Sequence, residues 1–330
     1  MRKNEVEGNE KMPTQRIKIG FGLLPRQVIN MAKAVILSPL RNAVSKYFYL
    51  LSATICRLNL AAESFENLNI DSDKKTVAII MPIYNQFKYT KRAVASYYDS
   101  LDEAYNYILM IYDNNSTDES RDYFLSNNTS LDNLCYVRYK RNVGVTWPWN
   151  EGVRFSLGKL KASHVFLVNN DLVFTKNSIG KMIDTLNKGN DPAIVGPLSN
   201  CPGHDFKQDI RAFYPEYRAS DQIRDIELIA VIINDNKVVS TDHINGFCWG
   251  GNSRAFKENL FAYFFIPYYF DLRKVVYENE NEFQKRFIEK GFKILLATNI
   301  FVFHYGNITA FQHKLLDYSG NKVIMSQESE

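Results

Sequence analysis

VAIIMPIY at residues 77–84 is an almost unbroken apolar run, and YILMIY repeats the pattern at 107–112. Runs this short and this rich in β-branched residues read as strands, and the lack of a polar alternation means that both faces are covered. Between them, residues 89–101 space their apolar side chains as a helix does. The rhythm continues outward. LCYVRY (134–139) and HVFLV (164–168) are further strands, and residues 117–125, 149–160 and 179–186 read as helices. Strand–helix alternation of this kind predicts an α/β fold, a mostly parallel sheet flanked by helices.

Beyond residue 193 the alternation loosens into a polar region that reads as loops and short elements to about residue 236. It resumes with INGFCWGGNSRAF (244–256), a helix over about 280–290, and strands KILLA and IFVFH. On the other side, residues 63–75 are polar and read as a linker, residues 19–62 as basic amphipathic helices carrying Arg26, Lys33, Arg41, Lys46 and Arg57, and residues 1–18 as a disordered tail. The main domain is expected over 76–312 and a second tail over 313–330. The longest uncharged apolar run near the N-terminus, 47–56, falls short of the roughly 20 residues a membrane-spanning helix needs. Segment 19–62 reads either as lying on an anionic membrane surface or as a helical appendage packing on the main domain or on another subunit.

Net charge is +4, but residues 1–60 hold 10 Lys+Arg against 3 Asp+Glu, leaving 30 against 33 downstream. A slightly acidic main domain argues against nucleic acid as a partner. The four cysteines are too widely spaced for a disulfide framework, and Cys201 with His204 lacks a second pair for a zinc site. Together with the absence of an apolar leader, this predicts a cytoplasmic protein, peripheral on the inner face of a membrane if segment 19–62 binds lipid.

In parallel sheets ligands bind beyond the carboxyl ends of the strands, so the polar residues that close each apolar run are the first candidates. Asp113 closes YILMIY, where it could accept hydrogen bonds from a nucleobase or ribose, or merely shape a turn. Asp171 follows HVFLVNN, where a hard cation could be held against a diphosphate. His304 closes IFVF, and imidazole can ligate Mn2+ beside a carboxylate. Glu278, Glu280 and Glu282 cluster at a helix start, either as a solvated first turn or to supply a general base.

The ordered set resembles the family 2 glycosyltransferases of the GT-A fold, over about residues 76–309. PIYN, with Pro82, Tyr84 and Asn85, looks like the family's nucleotide-site entry. YDNNSTD, with Asp113 and Asn115, is similar to its V-D-N-x-S-x-D segment, and RNVGVTWPWNEGV carries Asn142, Gly144, Asn150 and Gly152 in register with N-x-G-x-x-x-x-x-N-x-G. VNNDLVF resembles the D-x-D position, with Asn169 and Asn170 before Asp171. INGFCWGGNSRAF looks like the acceptor-side segment, with Trp249, Gly250 and Arg254. The acidic helix aligns through Arg286 and Gly291, which puts Glu280 at the base position with Glu282 as its alternative. Glu stands there in place of the family's Asp, and the longer arm requires a shifted backbone or smaller neighbours.

The resemblance implies a Rossmann-like GT-A domain that performs an inverting transfer. The donor would be a UDP- or dTDP-sugar, the acceptor a hydroxyl of a glycan or lipid-linked molecule in cell-surface polysaccharide synthesis, and Mn2+ or Mg2+ would rest on Asp171 and His304. Two rivals stand beside it. A nucleotidyltransferase should carry a glycine-rich phosphate loop after its first strand, and PIYNQFKYT has no glycine. A catalytically silent sugar-binding subunit would explain the altered acidic helix.

Overall fold

The computed structural model describes residues 63–306 apart from 190, 204–205, 234–236, 264–265 and 275–277. The expected tails at 1–18 and 313–330, the basic segment 19–62 and His204 lie outside these residues. Among the described residues, no helix is long and apolar enough to cross a membrane.

The four expected strands form the parallel heart of the sheet as β2 (Thr76–Ile83), β3 (Asn106–Asp113), β4 (Leu134–Arg138) and β5 (His164–Val168). Their order is β4-β3-β2-β5, so the chain winds outward from β2 and then returns to its other side. Helices α1 (Phe87–Ser100), α2 (Ser120–Ser126), α3 (Thr146–Gly158) and α4 (Ser178–Asn187) follow these strands. The unbroken apolar composition follows from burial on both faces. Val77, Ile79, Met81 and Ile83 of β2 pack with α1, α2 and α4, whereas Ala78 and Ile80 face the side of α3. Each such aliphatic side chain removed from water stabilises the fold by about 1.5–3 kcal/mol.

The second half differs from the sequence expectation. β9 (Cys248–Asn252) inserts antiparallel between β5 and β7 (Ala193–Leu198), which makes the sheet mixed. KILLA and IFVFH are one strand, β12 (Lys293–His304), with its register broken between Ala297 and Phe301. The break is what lets one strand run parallel to β7 and then pair antiparallel with β6 (Leu172–Phe174), where His304 faces Leu172. β8 (Val238–Thr241) joins β12 as an additional edge. The polar region is also more ordered than expected: α5 (Ile223–Ile232) packs Ile226 and Ile229 onto the end of the sheet. Residues 63–75, expected as a linker, carry β1 (Phe65–Asn67), paired antiparallel with β4. On the α3 face sit α6 (Ser253–Glu258) and α7 (Asn279–Glu289), with the small hairpin β10 (Phe261–Tyr263) and β11 (Ile266–Tyr268) between them.

Candidate functional site

Three loops meet at the carboxyl ends of β2, β3 and β4, and side chains tie them together. Asn85 accepts from the Thr117 amide through Oδ1 at 2.8 Å, while its own amide donates to Ser116 Oγ at 2.9 Å. Asn114 spans to the next loop, accepting from the Val143 amide at 3.1 Å and donating to the Gly144 carbonyl at 3.1 Å. Gly144, at φ 76, needs the freedom glycine has, and its amide donates to Asn142 Oδ1 at 2.9 Å. Asn85, Gln86 and Asn115 adopt left-handed backbone at φ 55, 64 and 65, a conformation that costs energy unless neighbours enforce it. The cross-ties do so. Beside them lies an open depression of about 470 Å³ lined by Asn85 to Lys88 and Thr117 to Glu119. Pro82 and Tyr84 are half-buried on its β2 side.

Asp113 does not face this depression. It is fully buried, accepting from the Ser116 amide at 2.7 Å and the Tyr136 hydroxyl at 2.6 Å, and forming an ion pair with Arg138. The same guanidinium donates to Asn115 Oδ1 at 3.0 Å and to the Ser116 carbonyl at 2.9 Å. Burial pulls the pKa of Arg138 down, but the Asp113 carboxylate and the Tyr136 hydroxyl together raise it overall. Arg138 has a signal in LCYVRYKR that was open to reading, a cation one step before the end of an apolar strand.

Asp171 and His304 do come together, because β6 starts immediately after Asp171 and pairs with the end of β12. His304 Nε2 lies 3.2 Å from Asp171 Oδ1, and both side chains are about 95% buried (5% and 6% exposed). His304 Nδ1 lies 2.6 Å from the Cys201 carbonyl, which can only accept, so Nδ1 carries the proton. When the ring is neutral its Nε2 lone pair faces a carboxylate oxygen, an arrangement that asks for a proton or a cation between them. Burial pulls the His304 pKa down, but the Asp171 charge and the hydrogen bonds to Asp171 and Cys201 raise it overall. Asn169 Nδ2 stands 3.5 Å from the same Nε2, while Asn170 donates to Thr90 Oγ1 on α1 at 2.8 Å. The chemistry of this donor set fits a divalent ion that prefers carboxylate and imidazole. Among the described residues no three His, Cys, Asp or Glu side chains converge as a metal cluster, and Asp171 and His304 are the two of these that meet here.

Asn200, Cys201 and Phe247 hold the pair in place, and the sequence did not single them out for this. The Asn200 side chain bonds both the amide and the carbonyl of His304 at 2.9 Å. Phe247 stacks on the imidazole, centroids 5.2 Å apart at 16°, and its carbonyl accepts from the Asn169 amide at 2.8 Å. Burial and the nearby Asp171 charge push the Cys201 thiol up, which keeps it protonated beside the site.

The two candidate bases separate clearly. Glu282 is held by Arg286 in a two-point ion pair, Nε to Oε1 at 2.6 Å and Nη2 to Oε2 at 3.0 Å. Glu280 points elsewhere: a Cβ on Gly246 would lie 3.0 Å from its Cδ. Gly246 precedes Phe247, so the carboxylate of Glu280 reaches the chain one residue from the ring that covers His304.

Three expectations are corrected. Trp249 offers no face to a sugar: it is wholly buried, packed by Trp149, Phe256, Phe270 and Phe283. Gly250 is a packing residue, since a Cβ there would lie 2.2 Å from Phe166 on β5. Asn150 is buried and saturated, donating to the Thr146 and Phe270 carbonyls at 3.0 Å and accepting from the Tyr269 and Phe270 amides, so it pins the 269–270 backbone and does not meet a donor. Arg254 is exposed on α6 and paired with Glu258 at 2.7 Å.

Among solved structures, the chain resembles GalNAc-T7 crystallised with UDP, GalNAc and Mn2+ (13% identity, TM-score 0.51, 71% of this chain and 44% of that one). It also matches the mannosyltransferase PcManGT from Pyrobaculum calidifontis with GDP-Man and Mn2+ (14%, 0.48, 83% and 68%) and S. aureus TarS 1–349 (15%, 0.44, 68% and 60%). The chain thus spans less than half of GalNAc-T7 and 60% of TarS, and the first likeness places the fold as GT-A. No curated protein matches significantly in sequence. The profile of glycosyl transferase family 2 matches residues 78–260, more than half of the chain, and the chain belongs to that family.

Proposed function

We propose that the protein is an inverting, metal-dependent glycosyltransferase that moves a sugar from a UDP- or dTDP-sugar to a hydroxyl of a glycan or lipid-linked acceptor, in cell-surface polysaccharide synthesis. The observation that carries this reading is the buried pair in which His304 Nε2, its tautomer set by Cys201, faces the Asp171 carboxylate at 3.2 Å. Asp171 and His304 would hold Mn2+ or Mg2+, which when bound neutralises charge growing on the leaving diphosphate. Asn85, Asn115, Asn142 and Gly144 shape the rim on which the nucleotide rests, and Asn169 and Asn170 close it on the metal side. Asp113 acts there indirectly, by fixing the 113–118 turn through Arg138. Glu280 takes the proton of the attacking hydroxyl, because its carboxylate lies against Gly246, one residue before the ring that covers His304, whereas Glu282 is turned to Arg286. Arg254 is kept as an acceptor contact, and the basic segment 19–62 as the part that docks the enzyme on the inner membrane face.

The test is donor turnover across a panel of UDP-, dTDP- and GDP-sugars with Mn2+, followed by Glu280→Gln. One well-placed base contributes about 10²- to 10⁴-fold, so the variant should lose that much turnover while its thermal stabilisation by nucleotide and Mn2+ persists. Wild-type turnover in Glu280→Gln would remove Glu280 as the base.

A further inference from the structure

Glu280 carries one methylene more than an aspartate, and something beside it must be small. Gly246 meets that need. The three atoms nearest to a Cβ built on Gly246 all belong to the Glu280 carboxylate: Cδ at 3.0 Å, Oε1 at 3.1 Å and Oε2 at 3.4 Å. Gly246 is not among the glycines with positive φ, so the backbone does not require glycine there. Space does.

The loop around Gly246 is anchored on both sides. Two residues before it, the Ile244 amide donates to Gln284 Oε1 at 2.8 Å and the Ile244 carbonyl accepts from Gln284 Nε2 at 2.7 Å. Gln284 lies one helical turn after Glu280 on α7, so the helix that carries the carboxylate also holds the loop against it. One residue after Gly246, the Phe247 carbonyl accepts from Asn169, and its ring covers His304. A side chain at position 246 therefore cannot be relieved by a retreat of the backbone, and the flexible carboxylate gives way instead.

We infer that Gly246 is a positioning residue: its missing side chain sets where the Glu280 carboxylate rests relative to the Asp171–His304 pair. This deepens the reading of Glu280 as the base and rests on it. The test is a double-mutant cycle of Gly246→Ala with Glu280→Asp, read as kcat on whichever donor of the panel turns over, with KM for that donor and the melting temperature beside it. Displacing a reacting group by 1 Å costs about 10²-fold, so a shift of a few tenths of an ångström should lower kcat in Gly246→Ala by about ten-fold, with donor KM and melting temperature near wild type. In the E280D background, whose shorter arm vacates the space, the same alanine should cost less than about two-fold. A crystal structure of Gly246→Ala should find the Glu280 carboxylate displaced while Phe247 and His304 keep their stacking. Equal penalties in both backgrounds, or a carboxylate that stays while the loop moves, overturns the inference. If Glu280→Gln is inactive and Gly246→Ala turns over as wild type, only the inference fails. If Glu280→Gln stays active, the base assignment fails, and the crystal structure alone decides the steric coupling.

Discussion

The two sides of the site solve opposite problems. On the side of β2, β3 and β4, the buried carboxylate and the amide that joins the loops are satisfied by the protein itself: Asp113 by Arg138, Tyr136 and Ser116, and Asn114 by the 143–144 backbone. On the side of β6 and β12, Asp171 and His304 face each other as two acceptors once the ring is neutral. The first side is a finished mould, and the second, on the function proposed above, is a coordination shell that a cation would complete. The difference teaches that a carboxylate at the end of a strand is not by itself a ligand contact. What surrounds it decides.

The sharpest way to break this contrast is Arg138→Ala. Removing one partner of a buried pair leaves the other charge without compensation, which costs about 3–5 kcal/mol. The Arg138 side chain is 10% exposed and that of Asp113 is fully buried, so solvent offers little relief. Chemical denaturation should register a loss of this size, with most of it recovered when Asp113→Asn is added. A loss below about 1 kcal/mol would mean that Asp113 is accessible after all, as at an exposed pair, and would return it to direct donor binding.

Next in size is a contrast along a single strand. β5 begins at His164 and ends beside Asp171, and burial pushes the His164 pKa down to about 4. Above pH 6.5 the imidazole is neutral in both the folded and the unfolded chain, and stability is unaffected. As pH falls from 6.5 towards 4, the unfolded chain binds a proton that the folded one refuses, so stability drops by up to about 3 kcal/mol. Thermal unfolding between pH 7.5 and 4 should show this slope in the wild type and a flatter one in His164→Gln. An unchanged slope would assign the acid sensitivity to groups other than His164.

The metal side is probed by Asp171→Asn and His304→Gln. An ion at about 100 times its Kd stabilises by about 2.7 kcal/mol, and both variants should lose this Mn2+-dependent gain in melting temperature measured with nucleoside diphosphate present. Retained stabilisation by Mn2+ would dissolve the idea of an unfinished shell.

How much of this was legible beforehand depends on whether an element is defined by its own residues. β2 to β5 announce themselves because each is apolar enough to be buried on both faces, and Asp171 and His304 because each terminates such a run. The antiparallel insertion of β9 was hidden, since CWGGN is chosen by what it lies against: Gly250 accommodates Phe166, a residue more than eighty positions away in sequence. The same applies to Trp249, whose burial depends on Phe256, Phe270 and Phe283. Asp113 was located correctly at its strand end, but its partner Arg138 sits on another strand. α5 was missed because apolar residues on both of its faces, Ile226 inward and Val231 outward, blur the helical period within a polar neighbourhood.

The smallest effect tests the periphery of the comparison. Arg254 is half-exposed and pairs with Glu258 one helical turn away, an arrangement that contributes about 0.3–0.5 kcal/mol and is screened by salt. Arg254→Ala should therefore leave unfolding almost unchanged. If the guanidinium serves the acceptor, its loss appears in the KM for acceptor while hydrolysis of the donor proceeds at the wild-type rate, because the Asp171–His304 pair and Glu280 are untouched. An equal fall in donor hydrolysis and transfer would place Arg254 with the moulded scaffold and leave the acceptor to other residues.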